Sequence, residues 1–442
     1  MSGAGGPGAN LTALRSHNAA LVLRLLRDAG EDGVSRPELA GRTGLTPQAV
    51  SKITARLRAE GLLAEAGQRA STGGKPPTAL RLVPDARHAI GLQLDRDEVT
   101  AVLVDLAGTP VAARSAPFDF GAPAEEALAA ATAEVRALLA DAAASGVAGG
   151  TAGGESAAGA ESDVAAGAGG GGGIAAGGGT GGADLGGSGV ADLGGTGGAD
   201  LGGTGGPAGA GSDVAAGAGS GFALGGGLLG VGVAAPGPLD HGSGVLHRVT
   251  GFPQWDGFPL RDALAERLAL PVVLDKDTNA AALGLVTAGT AESAAYLHLG
   301  TGLGAGLVLG GGVYRGARTD AGEFGHQVIQ LDGPPCDCGN NGCLEALCLA
   351  AVARGDRTDA ARLLGIGATN LVRLLDIDRV LLGGRMVLAD PEPYVRGVAS
   401  MIAEDSARAS RPPVSVDVVE RGERAVVEGA ARLVLAPLFA LG

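Results

Sequence analysis

One histidine and three cysteines stand close together in GHQVIQLDGPPCDCGNNGCLE: His326, Cys336, Cys338 and Cys343. Three thiolates and an imidazole make the ligand set of a closed, tetrahedral zinc site. All four cysteines of the chain fall within residues 336–348, which reads as a metal site in a reducing compartment and not as a disulfide framework. Closing such a site turns metal binding into folding energy, so the zinc is expected to be structural. Cys348 lies outside the spacing and is expected in the core of the next helix. A second group is polar and basic. Gln48, Ser51, Lys52 and Arg56 share one face of a helix predicted over TPQAVSKITARLRAEG, with Val50, Ile53 and Leu57 on the other. On a recognition helix that face enters the major groove of double-stranded DNA, early residues toward base edges and later ones toward phosphates.

The elements around that helix suit the task. Residues 11–29 place Leu14, Leu21, Leu25 and Leu26 at helical spacing. Ser35-Arg36-Pro37-Glu38 is a capping box that opens a short helix, and Thr46-Pro47 caps the third. Helix, helix, tight turn, helix is the helix-turn-helix plan. Two predicted strands follow, around 62–69 and 79–82, joined by Ser71-Thr72-Gly73-Gly74-Lys75-Pro76-Pro77. A slim two-stranded wing with Lys75 at its tip reaches a minor groove. Residues 1–84 hold 11 Lys and Arg against 6 Asp and Glu, a net of +5, which leaves −19 on the remainder of a chain of net charge −14. A basic head on an acidic body fits a local nucleic-acid contact and argues against indiscriminate polyanion binding.

From Ala86 the pattern changes. HAIGLQLD, EVTAVLVDLAG and PVAARSAPFDF read as three strands, followed by a helix over 122–144 with Leu128, Val135, Leu138 and Leu139 on one face. Residues 145–227 hold 36 of the 82 glycines, with ADLGG recurring at 183, 191 and 199. This is a low-complexity insertion, expected to be disordered, that interrupts the fold without dividing it. Beyond it come LLGVGVAAPG, a helix in LRDALAERLAL, the strand-to-helix segment PVVLDKDTNAAALG, a glycine-rich hairpin in AAYLHLGTGLGAGLVLGGGVYRG, and helices alternating with the strand RVLLGG. Strand triplets followed by a helix, twice over, indicate two α/β lobes round a cleft. No apolar run reaches about 18 residues and no signal pattern opens the chain, so a cytoplasmic protein without membrane contact is expected.

GVGVAAPGPLD, PVVLDKDTNAAALG, GTGLGAG, DAGEFGH, CDCGNNGCLE and VLLGG together resemble the repressor/open-reading-frame/kinase (ROK) family, in its winged-helix repressor branch. The resemblance covers nearly everything except the glycine insertion. It implies an α/β protein: a winged helix-turn-helix over 10–84, then a two-lobed actin-like sugar-kinase fold over 85–442. It also implies that Asp277 holds the position of the kinase base, and that Glu323, His326 and Glu345 complete a site for a sugar or sugar-derivative effector. Where family kinases carry D-I-G-G-T for the ATP phosphates, this chain has Gln93-Leu94-Asp95-Arg96-Asp97, whose side chains and carboxylates oppose a bound nucleotide. Lys276 replaces a residue that touches the sugar; it is expected to pair with Asp277, to select an anionic ligand, or to block the pocket. The expectation is therefore a sugar-sensing transcriptional repressor that does not phosphorylate its ligand, acting as a homodimer or homotetramer on a DNA operator. The alternative is an ATP-dependent sugar kinase with a DNA-binding head.

Overall fold

A computed structural model describes residues 11–68, 78–146, 227–289, 292–412 and 414–440. Helix α1 (Leu11–Asp28) is followed by the short strand β1 (Val34–Ser35), α2 (Arg36–Thr43) and α3 (Pro47–Ala59), then by strands β2 (Leu63–Gln68) and β3 (Thr78–Leu82). The caps act as the sequence indicates. Ser35 Oγ accepts from Glu38 N while Glu38 Oε2 accepts from Ser35 N, and Gly44 closes α2 at φ +69°. Thr46 Oγ1 accepts from Ala49 N at 3.2 Å at the start of α3. The three strands form one antiparallel sheet in the order β1-β3-β2, which makes the group a winged helix. The wing tip, Lys75 included, lies outside the described residues, as does all of the glycine-rich insertion between 147 and 226.

Two burial patterns differ from the simple periodic reading. On α3 the buried stripe is Val50, Thr54 and Leu57, with Ile53 only half-buried. Thr54 is tolerated inside because its hydroxyl donates to Val50 O at 2.9 Å, which satisfies it within the helix. On α1 the buried residues with described side chains are Ala19, Ala20, Val22, Leu23 and Leu26, while Leu21 and Leu25 are half-buried and the side chain of Leu14 lies outside the described residues. Helix α1 turns toward a second neighbour besides the winged helix, namely the body.

The body contains two five-stranded sheets of the same plan. Strands β4 (Arg87–Leu94), β5 (Glu98–Asp105) and β6 (Pro110–Pro117), then α4 (Ala124–Ala144), β7 (Gly227–Ala235), the small hairpin β8 (Leu239–Asp240) and β9 (Val245–Leu246), α5 (Leu260–Leu268) and β10 (Val272–Lys276) build the first lobe. Its sheet runs β10-β7-β4-β5-β6, parallel on one side of β4 and antiparallel on the other. Helix α6 (Asp277–Thr287) leads to β11 (Ala294–Leu299), β12 (Leu303–Leu309) and β13 (Gly312–Val313), then α7 (Leu344–Ala353), α8 (Arg357–Leu375), β14 (Arg379–Gly383), α9 (Arg385–Leu388), α10 (Pro391–Arg408), β15 (Ser415–Val418) and α11 (Ala425–Leu435). The second sheet runs β13-β12-β11-β14-β15. Each lobe has its own apolar core, the first between its sheet and α4 and α5, the second between its sheet and α7, α8 and α10. Helices α6 and α11 pack together at the seam of the lobes.

A further cluster crosses from the winged helix into the body. Val22, Leu26, Leu57 and Leu80 share it with Val102 and Val104 of β5, Leu283 of α6 and Phe439 of the C-terminal turn. Arg27 Nη2 donates to Thr287 O, the last residue of α6, at 3.2 Å, and its guanidinium lies 4.8 Å from the centre of the Phe439 ring.

Candidate functional site

The cleft between the lobes is lined by Asp277, Glu323, His326 and Glu345, the four residues expected at the ligand site, and by Lys276. Three segments bring them there. Strand β10 delivers Lys276 and Asp277 at the point where α6 begins. The loop after β13 carries Glu323 and His326, and Glu345 opens α7 directly after the cysteine loop. The hairpin of β11 and β12 forms the floor. A Cβ on Gly306 would lie 2.0 Å from Thr278 O, so only glycine lets β12 pack this close to α6. Glu345 Oε2 accepts from Leu303 N at 2.7 Å, which fixes the carboxylate against the hairpin turn.

Asp277 opens into the cleft, with Oδ1 accepting from Thr278 N at 2.6 Å. Burial pushes its carboxyl above the usual range, against the opposing pull of His298. A carboxylate so placed is a competent acceptor for a ligand hydroxyl proton. His298 is the lining residue that sequence reasoning missed; its Nδ1 meets Tyr296 Oη at 3.0 Å. No local sequence pattern singles it out; the hairpin register sets His298 opposite Gly304 beside the glycine-rich turn. Of the three expectations for Lys276, the pair with Asp277 is not formed. Its Nζ donates to Ala321 O at 2.6 Å and to Glu323 Oε1 at 3.0 Å, so its ion-pair partner is Glu323 and not Asp277.

Beyond Asp95 the cleft continues into a recess lined by Gln93, Thr100, His298, Gly384, Arg385 and Arg424. Arg385 crosses it as a fork: Nη1 donates to Asp97 Oδ2 at 2.7 Å and Nη2 to Asp97 Oδ1 at 2.6 Å, with Asp95 Oδ2 3.6 Å away. The hydrogen bonds from Arg385 hold the Asp97 carboxyl below its ordinary value.

The four metal-ligand candidates also converge. Their ligand atoms all lie within 4.8 Å of one another, with Cys338 Sγ 3.6 Å from Cys343 Sγ and Cys336 Sγ 3.7 Å from His326 Nδ1. Tetrahedral zinc with bonds of about 2.3 Å to sulfur sets two thiolates roughly 3.8 Å apart, so the cluster fits an ion of that size. Burial and the neighbouring thiols push Cys343 up to about 12, and binding a cation there displaces protons. Gly342 at φ +68° lets the loop close, because a Cβ would meet Gln330 O at 1.6 Å. Cys348 is buried on α7, apart from the cluster.

On α3, Gln48, Ser51, Lys52 and Arg56 are all exposed on the face away from the core. Arg56 pairs with Glu60 at 3.6 Å on the surface. Lys75 cannot be placed beside them, since it lies outside the described residues. Among the described residues no helix is long and apolar enough to cross a membrane.

A winged helix on a two-lobed α/β body, with a carboxylate-lined cleft and a Cys3His cluster at its wall, defines a protein of sugar-kinase-like fold with an added head. The chain belongs to the ROK family, whose profile matches residues 223–352. It is 29% identical over 258 residues to a putative xylose repressor of Caldicellulosiruptor sp. (strain Rt8B.4), covering 48% of this chain and 64% of that relative, less than two thirds of its length. It is 31% identical over 241 residues to a kanosamine kinase of Amycolatopsis mediterranei, covering 48% of this chain and 78% of that enzyme. In fold it matches the crystal structure of a ROK family transcriptional regulator, a homolog of the E. coli MLC protein, with a TM-score of 0.65 at 18% identity, over 96% of this chain and 97% of that one.

Proposed function

We propose that this chain is a DNA-binding transcriptional repressor of carbohydrate-related genes, controlled by a sugar or sugar derivative held between the lobes without phosphorylation. The observation that carries the reading is the join between site and head. Helix α6 starts at Asp277 in the cleft and ends at Thr287, whose carbonyl is held by Arg27 of α1. An 11-residue helix spans roughly 16 Å, so one rigid element links the two regions. A ligand that favours one lobe arrangement therefore acts on the seat of the winged helix, provided its affinity differs between the two arrangements.

The division is 10–84 for the reader and 85–442 for the sensor. Gln48 and Ser51 address base edges, and Lys52, Arg56 and Lys75 address phosphates or the minor groove. Asp277, Glu323, His326 and Glu345 hold the effector, and structural zinc bound by His326, Cys336, Cys338 and Cys343 orders that wall. Phosphoryl transfer is absent because Asp95 and Asp97, tied to Arg385, occupy the approach of a nucleotide with like charge. The protein works in the cytoplasm as a homodimer or homotetramer, since one helix-turn-helix reads too few base pairs alone. The repressor name of one relative and the kinase name of another are both compatible with this body; the departures at 93–97 favour the sensor.

The test is selection of genomic fragments by the purified protein, followed by fluorescence anisotropy at two salt concentrations. Sequence-selective binding with a steep salt slope is expected, and Lys52→Ala should shrink that slope by about one phosphate's worth. Sequence-blind binding, or ATP-dependent phosphorylation of a sugar by the same preparation, overturns the reading.

A further inference from the structure

We propose that Lys276 sets the selectivity of the cleft by acting as an internal occupant: its ammonium takes the place at Glu323 that a ligand hydroxyl would otherwise take. The cleft then admits uncharged polyols, and only by displacing this lysine. The inference rests on the reading of the cleft as a sugar site and names the chemistry that site accepts.

Lys276 ends β10 in the first lobe and is only 2% exposed, whereas both its acceptors, Ala321 O and Glu323 Oε1, belong to the loop after β13 in the second lobe. Its stem runs beneath the backbone of Gly237, where a Cβ would come within 2.7 Å of Lys276 Cδ. The side chain therefore has little freedom to leave while the lobes are held as they are. The neighbouring residue repeats the stitch with reversed polarity, because Arg315 Nε donates to Asp275 Oδ2 at 2.7 Å. Two ion pairs thus tie β10 to one loop of the other lobe, and one of them uses a carboxylate that faces the ligand.

The charge balance decides the ligand class. With Lys276 spent on Glu323, the remaining carboxylates lining the cleft are Asp95, Asp277 and Glu345. The other cationic side chain among the described lining residues is Arg96, whose guanidinium lies 5.4 Å from the centre of the Phe252 ring. A phosphate or carboxylate on the ligand meets net repulsion, while hydroxyls donate to these acceptors. A neutral polyol still has to compete with a preformed ion pair, so its apparent affinity falls by the fraction of time that pair is open.

The experiment is isothermal titration of the full chain, wild type and Lys276→Gln, with neutral hexoses and pentoses, glucosamine, glucose 6-phosphate and glucuronate. Lys276→Met, which keeps the stem and drops the charge, guards against a folding defect. Both variants should bind a neutral sugar on the order of tenfold more tightly than wild type. Unchanged or weaker neutral-sugar binding overturns this proposal and leaves the sugar site standing. An acidic sugar bound by wild type and lost in both variants makes Lys276 an anion receptor and overturns it as well. If no sugar binds any variant, while melting temperatures of Lys276→Gln, Glu323→Gln and the double variant still show the pair is coupled, the sugar-site reading fails and this proposal fails with it.

Discussion

Replacing Phe439 by alanine tests whether the winged helix and the body fold as one unit. Phe439 is 1% exposed and belongs to the cluster that contains Val22, Leu26 and Leu80 on one side and Val104 and Leu283 on the other. Truncating a buried phenylalanine costs about 3–5 kcal/mol through lost burial and the cavity left behind. The stacked Arg27 guanidinium, 4.8 Å from the ring centre, adds about 0.5–2 kcal/mol. A combined loss near 5 kcal/mol changes the folded-to-unfolded ratio by roughly three to four decades, a large share of an ordinary domain's stability. Calorimetry of wild type should give one transition that includes the head. In Phe439→Ala that transition should fall and split, and amides of α2 and α3 should exchange faster although they lie away from the substitution. Equal exchange rates in α3 for the two proteins, or two independent transitions already in wild type, would refute the shared core as the link between winged helix and body.

The metal loop predicts one equivalent of zinc per chain by atomic absorption; Cys343→Ser should lose it and melt lower, and a metal-free preparation that melts unchanged would count against a structural ion. For Asp277, whose folded-state carboxyl sits above its unfolded value, the folded chain holds more protons between those two values. Stability should therefore fall as pH rises through that window, and Asp277→Asn should remove this fall; parallel melting curves from pH 4 to 7 would contradict it. Gly306→Ala forces β12 away from Thr278 and should cost about 1–3 kcal/mol while weakening ligand binding; an unshifted melting temperature would show that the hairpin has room.

Much of this protein is legible in its residues because the governing interactions are local. The capping box at Ser35 and Glu38 and the cap at Thr46 are hydrogen bonds across three residues, so α2 and α3 begin where the letters indicate. Short apolar runs locate β4 and β5, which are buried along most of their length, while exposure alternates only along β6. The spacing of Cys336, Cys338 and Cys343 with His326 is set by short loops, and those ligand atoms meet. Motif residues at the ends of β10 and α7 likewise reach one cleft, because strand and helix ends in a two-lobed α/β body converge there.

Other features depend on which surfaces the chain lays against each other. Thr54, not Ile53, goes fully inside α3, since the neighbours of the winged helix determine which side of a 100°-wide stripe is covered. Lys276 chooses Glu323 over the adjacent Asp277 because strand geometry turns its side chain toward the opposite lobe, 47 residues along the chain. Arg385 finds Asp97 across 288 residues, and His298 enters the cleft through a hairpin register that no local pattern announces. The seat of the head on Phe439 and on the end of α6 is of the same kind. The sequence alone determines the elements, their caps and the chemistry each one carries. Partner, charge balance and coupling are decided only when distant segments meet, because contact energies depend on distance in space and not along the chain.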